Sequence, residues 1–135
     1  MGSIRIDDDR TGMLVVTFVG TVSDDEFKRY LDEVGAPLQR RAPYAVVLDA
    51  RASDRTPAVQ RKLQADWLTQ HRSELARYCV GNAFVITSPL VRGVLTAILW
   101  LQPLPVPYVV CSSLEAARKW ARDRLAVREP ARSSV

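Results

Sequence analysis

The chain has 135 residues, of which 47% are hydrophobic and 25% charged, and it carries a formal net charge of +4. That size suits one buried core, so we expect one domain over residues 1–127 and a disordered polar tail at 128–135. Basic residues alternate with acids and no base-reading motif accompanies them, which argues against nucleic acid as the partner. The longest apolar run, Val94–Leu101, is too short to cross a bilayer, so no membrane span is predicted.

The start of the chain shows no apolar run behind its charged residues, so the sequence predicts no secretory signal. The two cysteines, Cys79 and Cys111, lie too far apart for a CxxC pattern and each sits among apolar residues. Reduced thiols and the missing signal together predict a cytoplasmic protein.

The first half of the chain predicts a hairpin, a helix and a central strand. Alternation at Ser3–Asp7 and an apolar run at Met13–Val19, separated by a polar turn, are typical of a β-hairpin. The sequence SDDE beginning at Ser23 has the pattern of a capping box, and it predicts a helix that ends around Leu38–Arg41. The run YAVVLD at Tyr44–Asp49 is apolar through its middle, as expected of a strand covered on both faces.

A second helix is predicted to begin at Thr56, an N-cap followed by Pro57 in the first helical position, and to run to about Tyr78. Helical spacing gives this helix an expected inner stripe of Val59, Leu63, Trp67, Leu68 and Leu75. Each tryptophan of the chain, Trp67, Trp100 and Trp120, lies in such an apolar stripe and is expected in the core.

The remaining elements alternate strand and helix. A strand at Asn82–Thr87 is followed by a helix that Ser88 caps, then by a short strand at Tyr108–Cys111 and a last helix that begins at Ser112. We expect this last helix to end at about Val127. The order ββαβαβαβα requires parallel pairing through right-handed crossovers. The sequence therefore predicts an α/β fold with a single mixed, mostly parallel five-stranded sheet flanked by helices.

This order, with the string VITSPLVRGVLTAILWLQPLPVPYVVCSSLEAARKW at residues 85–120, resembles the STAS domain. The resemblance runs from Ile4 to Val127 and implies a SpoIIAA-like fold. Because the family includes bacterial anti-sigma-factor antagonists, the resemblance also implies a non-enzymatic regulatory or scaffolding module that binds a protein partner.

Antagonists that answer to a kinase carry an Asp-Ser-Ser-Gly type sequence at the start of the helix after the central strand, where the serine is phosphorylated. Here the equivalent stretch is SDRTP, residues 53–57, which lacks the serine pair and the glycine. By position, the resemblance makes Thr56 the first candidate for phosphorylation and Ser53 the second.

Open α/β sheets bind ligands beyond the carboxyl ends of their strands, where helix N-termini converge. The predicted site for a protein partner or a small anionic ligand at that edge consists of Asp49, Arg51, Ser53, Arg55, Thr56, Ser88 and Arg92. Capping alone would also explain Thr56 and Ser88. Arg92 opposes the helix dipole in its first turn, so we expect it to pair either with Asp49 or with a bound anion.

Catalysis finds little support in the sequence. The single histidine, His71, falls among polar residues of a helix, and no HxH, HExxH, GxGxxG or Walker pattern is present. We therefore expect no enzyme, no metal and no cofactor. The remaining enzymatic alternative is phosphate-ester chemistry that uses Asp49 and Arg51.

A carrier of a small hydrophobic molecule or lipid is the alternative function, by analogy with SEC14-like relatives of the STAS fold. It predicts a sizeable cavity lined by Leu95, Ile98, Leu99 and Trp100. The stiff loop QPLPVP, residues 102–107, would offer an apolar patch to a partner, a lipid or a second copy of the chain if exposed. If it packs down, it is only a covered crossover, so homo-oligomerisation stays open.

Overall fold

The structure, a computed structural model, describes residues 2–8, 11–54 and 56–133, with backbone alone for 128–133. Its strands are β1 (Ser3–Asp8), β2 (Met13–Gly20), β3 (Tyr44–Ser53), β4 (Cys79–Val85) and β5 (Tyr108–Cys111). Its helices are α1 (Asp24–Val34), a 3₁₀ helix (Ala36–Arg40), α2 (Ala58–Gln70), α3 (Arg72–Tyr78), α4 (Pro89–Leu101) and α5 (Leu114–Ser133).

The five strands form one sheet in the order β1-β2-β3-β4-β5. The β1–β2 pair is antiparallel, whereas β2–β3, β3–β4 and β4–β5 are parallel. Because every crossover advances the sheet in the same direction, right-handed connections place α1 to α4 on one face. That leaves α5 to cover the other face. The predicted α/β fold with a mixed, mostly parallel five-stranded sheet is confirmed.

Two apolar cores lie on the two faces of the sheet. On the face of α1 and α2, Phe18, Phe27 and Tyr30 form an aromatic cluster whose ring centroids lie 5.1–6.5 Å apart. On the α5 face the core is built from small residues, with Ala117 and Ala121 of α5 fully buried over β3 and β4. Small side chains let α5 approach the sheet closely.

Side chains of α1 also protect the open edge of the sheet. Ser23 caps α1, since its hydroxyl accepts from the Glu26 N–H at 3.1 Å. The Glu26 carboxylate accepts from the Ile4 N–H of β1 at 3.2 Å, and Arg29 donates to the Ile4 carbonyl at 3.0 Å. These bonds satisfy edge groups that would otherwise be open to pairing with another chain.

The second helix was predicted too long, and the side of it predicted to face the core was also wrong. It breaks at His71 into α2 and α3, where Thr69 Oγ1 bonds back to the Ala65 carbonyl at 3.1 Å, a contact that bends helices. Val59 of the expected stripe is 58% exposed, whereas Gln60 is 1% exposed. The Gln60 amide donates to the Val22 carbonyl at 2.9 Å and to Asp24 at 3.0 Å, and these bonds set the rotation of α2.

Other boundaries also differ from the prediction. α1 ends at Val34 and a separate 3₁₀ helix follows, while β4 begins at Cys79 rather than at Asn82. The cap of α5 is Ser113, whose hydroxyl accepts from the Ala116 N–H, rather than Ser112. α5 runs to Ser133, whereas its expected end was at about Val127. The disorder predicted for the tail at 128–135 stays a prediction, since the side chains of 128–133 and residues 134–135 lie outside the described part.

Gly81 in β4 lets α5 pack against the sheet. A Cβ added at Gly81 would lie 2.7 Å from two ring atoms of Trp120, closer than Cβ atoms come to other groups. We expect Gly81→Ala to lower the free energy of unfolding by about 1–2 kcal/mol, because the Trp120 ring must shift outward. Urea unfolding followed by Trp fluorescence measures this loss, and an unchanged midpoint would contradict it.

Candidate functional site

The stretch LDARASDRTP, residues 48–57, continues strand β3 further than its polar residues suggested. β3 runs to Ser53, and the Asp54 N–H donates to the Gly20 carbonyl at 3.1 Å. Between the Thr17–Asp49 pair and the Val19–Ala52 pair, β3 has one more residue than β2. This bulge changes which face the following side chains point to, so Ser53 lies on the face of α2 and α4.

Asp49 and Arg51 form a local ion pair. Arg51 donates from Nε to Asp49 Oδ1 at 3.0 Å and from Nη2 to Oδ2 at 2.8 Å, and the Arg51 N–H adds a bond of 3.1 Å. Asp49 is 7% exposed. The expected Asp49–Arg92 pair is therefore wrong, because residues two apart in a strand share one face and Arg51 reaches the carboxylate first. Because its guanidinium is already bound to Asp49, Arg51 would attract an external anion less strongly.

The Arg51 pairing holds the pKa of Asp49 below its ordinary value. The pair therefore stabilises the folded state above the unfolded pKa of about 3.9, and that stability is lost as pH falls through the lower folded pKa. We expect Arg51→Met to unfold more easily than the wild type at pH 7. The difference should shrink below about pH 4, which denaturant titrations at several pH values would measure; a constant difference would contradict this account.

Thr56 does not cap α2, contrary to the prediction. The helix starts at Ala58 with Pro57 in the cap position, and no described side chain bonds to its first amides. The first turn of α2 also contains no acidic residue, in contrast to α1 with its serine cap and three acids. Arg61 donates from Nη1 to the Thr56 carbonyl at 2.7 Å and makes no ion pair with any described residue.

The other predicted site residues lie at the start of α4 or outside the described chain. Ser88 caps α4 as predicted, since its hydroxyl accepts from the Val91 N–H at 3.4 Å. Arg92 is exposed, and no described carboxylate lies within ion-pairing distance of it. Arg55 lies outside the described residues. The structure thus groups Ser53 and Thr56 beside one pocket, and it sets Asp49 and Arg51 apart as a pair.

An apolar pocket of about 110 Å³ lies between the sheet and the helices α2 and α4. Ser53 and Thr56 line it, together with Leu95, Ile98 and Leu99 of α4. Trp100, which the carrier alternative placed in the wall and the helical pattern placed in the core, is instead 85% exposed. The volume is also below the roughly 300–1,000 Å³ of pockets for drug-sized ligands, so a carrier of lipid-sized molecules gains no support.

The proline loop packs down rather than standing out as an apolar patch. Val106 is buried and Leu104 lines the pocket, so at least these two apolar side chains of residues 102–107 face inward. The covered-crossover interpretation of this loop is therefore the better one.

His71 stands apart from the hydroxyl groups of the site. Its ring packs on Trp67 with centroids 4.7 Å apart, and its Nδ1 lies 3.2 Å from Glu74. His71 and Thr56 flank opposite ends of α2, which at 1.5 Å per residue puts about 20 Å between them. Among the described side chains, which end at residue 127, no cluster of metal-binding groups forms, and no described helix combines the length and apolar content that a bilayer crossing needs.

Sequence reasoning missed three polar residues of this region: Arg61, Gln60 and Asn82. Arg61 and Gln60 lie on a helix whose start was predicted too early, so their positions relative to Thr56 were not apparent. Asn82 stands between apolar neighbours in β4, and an isolated amide in a buried strand was the available signal.

No protein-family model matches the chain, and no curated protein matches its sequence. Among solved structures, an uncharacterized DUF3478-family protein from Shewanella loihica PV-4, described as having a SpoIIAA-like fold, superposes with a TM-score of 0.66. It is 13% identical, over 90% of this chain and 95% of that chain. An anti-sigma factor antagonist from Mycobacterium paratuberculosis superposes with a TM-score of 0.59 at 19% identity, over the same shares. The chain therefore has a SpoIIAA-like fold, which is the fold that its resemblance to the STAS domain implied.

Proposed function

We propose that the chain is a non-enzymatic regulatory module that binds a protein partner at the edge formed by Ser53, Thr56, Arg61, Ser88 and Arg92. We call this surface the docking edge. The observation that carries the proposal is the position of Thr56, next to an uncapped helix start and in contact with Arg61. The likeness in fold to a protein described as an anti-sigma factor antagonist supports the same class of function.

The hydroxyl of Thr56 is better explained by regulation than by folding. Ser23, Ser88 and Ser113 each bond to the first turn of the helix that they precede. Thr56 forms no such bond, so helix capping does not account for a hydroxyl at this position. Thr56 and Ser53 are both partly exposed, and a modifying enzyme or a partner could reach them.

Phosphorylation of Thr56 would suit the charges around it. A phosphate adds about −1.5 to −2 charges and three acceptor oxygens. At Thr56 these would face the positive end of α2, which has no acidic residue in its first turn, and the guanidinium of Arg61. The modification would neutralise most of the positive charge that Arg61 and Arg92 give the docking edge. Ser53, which like Thr56 follows the bulge in β3, is the second candidate for phosphorylation.

The test has two measurements: whether the chain is phosphorylated in its native host, and whether a charge that mimics phosphate at Thr56 changes partner binding. We expect intact-mass and peptide mapping of the purified chain to place a phosphate on Thr56 or Ser53. We also expect Thr56→Glu to change the amount of bound partner at least tenfold, whereas Thr11→Glu should not. Thr11 is an exposed threonine in the β1–β2 turn, at the opposite end of the parallel strands. A partner whose binding responds equally to both substitutions would overturn the proposal.

The same geometry supports the non-enzymatic part of the proposal. Thr56 and Ser53 lie far from His71, the single histidine, and the carboxylate of Asp49 is held by Arg51, so neither His71 nor Asp49 is placed to activate these hydroxyls. Phosphate-ester turnover by the purified chain, abolished by Asp49→Asn, would contradict this part. We place the module in the cytoplasm, where kinases that modify such hydroxyls act.

A further inference from the structure

One residue that lines the pocket under α4, Asn82, has a buried acceptor atom without a partner among the described residues. Asn82 sits in the middle of β4, where its backbone pairs with Val46 of β3 and Tyr108 of β5. Its side chain shares the pocket face with Phe84 and Ile86, and its Oδ1 is buried with no hydrogen-bond donor among the described residues. A buried acceptor without a hydrogen bond destabilises the folded state, and an apolar residue at this position would avoid that cost.

The rest of the pocket wall is apolar or neutral. None of the described side chains that line it is charged, and the Tyr30 hydroxyl is already used as a donor to Gln64 Oε1 at 3.1 Å. Burial raises the pKa of Tyr30, so this hydroxyl stays a donor. A charged ligand would pay a large desolvation cost in such a site. The pocket therefore favours a neutral molecule.

The side chains of α4 that line the pocket are incompletely covered, which leaves space for a ligand beside them. Val91 is the one buried residue of α4, while Val94, Leu95, Ile98 and Leu99 are only partly covered although they line the pocket. An engineered apolar cavity of about 150 Å³ in another protein takes up benzene, so about 110 Å³ suits a single small ring. A lipid chain would not fit.

We propose that this pocket binds a small, neutral, mostly apolar molecule with one hydrogen-bond donor, such as a phenol, and that Asn82 Oδ1 accepts that donor. The ligand would cover the inner side chains of α4 and satisfy the orphaned amide oxygen. Because Ser53 and Thr56 line the same pocket, the ligand lies next to the docking edge. The site does not depend on the proposed function and can be tested on the isolated chain.

Two probes of the same shape isolate the role of Asn82. Calorimetric or NMR titration of the purified chain with p-cresol and with p-xylene compares a ring that has a donor with one in which a methyl group replaces the hydroxyl. Without an acceptor in the pocket, p-xylene would bind better, because a buried hydroxyl loses its water. We expect p-cresol to bind on the order of tenfold more tightly.

Two variants complete the test. In Asn82→Val, which removes the acceptor but keeps the space, the preference for p-cresol should disappear. In Ile98→Trp, which fills the pocket from α4 and leaves Asn82 in place, binding of both probes should be lost. Unfolding curves confirm that each variant is folded. Absence of p-cresol binding to the wild type, equal binding of both probes, or a preference that survives Asn82→Val would each overturn the proposal.

Discussion

Phe27→Ala is expected to lower the free energy of unfolding by about 3–5 kcal/mol, the largest loss among the substitutions considered for this chain. Phe27 is 3% exposed and lies in the aromatic cluster that joins α1 to the sheet, with ring centroids 6.5 Å from Phe18 and 5.3 Å from Tyr30. Truncation would remove apolar contact with both rings and leave a cavity that the rigid sheet cannot close.

Chemical denaturation of the two proteins measures this loss. Val59→Ala on α2 is the matched control, because Val59 is 58% exposed and its truncation should change the free energy of unfolding by less than about 0.5 kcal/mol. A loss below 1 kcal/mol for Phe27→Ala would mean that the cluster is not packed as described.

Gln60→Leu is expected to cost about 2–3 kcal/mol, although it replaces a polar residue by an apolar one in a buried position. The Gln60 amide donates to the Val22 carbonyl at 2.9 Å and to Asp24 at 3.0 Å. Asp24 is exposed and can turn to water, but Val22 is buried, so its carbonyl would lose this donor. That desolvation cost is the main part of the expected loss.

The control for Gln60→Leu is Gln70→Leu at the exposed end of the same helix. The same chemical change there should leave the unfolding midpoint within error of the wild type. A stabilised Gln60→Leu variant would show that hydrophobic burial outweighs the hydrogen bonds at this position, and that these bonds do not set the rotation of α2.

The strand and helix order could be predicted because long periodic segments determine it. Apolar runs such as Met13–Val19 and capping signals such as Ser23 and Ser88 define elements through local physics. The end of β3 could not be predicted in this way. Its last residues are polar and read as a loop, but their backbone continues to pair with β2, which is a tertiary contact.

The prediction of which side chains are buried failed where packing reversed the usual preference for burying apolar residues and exposing polar ones. Gln60 is buried and Val59 exposed because two hydrogen bonds outweigh the apolar pattern on α2. Trp100 is exposed because α4 turns its other side to the pocket. At the candidate site, the helix cap at Ser88 was predicted correctly. The Asp49–Arg51 pair was not, since its detection requires that the strand continue through Arg51.

Site-specific photo-crosslinking in the native host tests the docking edge most directly. A benzoylphenylalanine placed at position 56 reports on that edge, and one at Val127, which is 66% exposed on α5, reports on the opposite face. The account predicts a discrete protein adduct from position 56 and none from position 127. An adduct from position 127 alone, or equal adducts from both positions, would contradict a docking edge at Ser53 and Thr56.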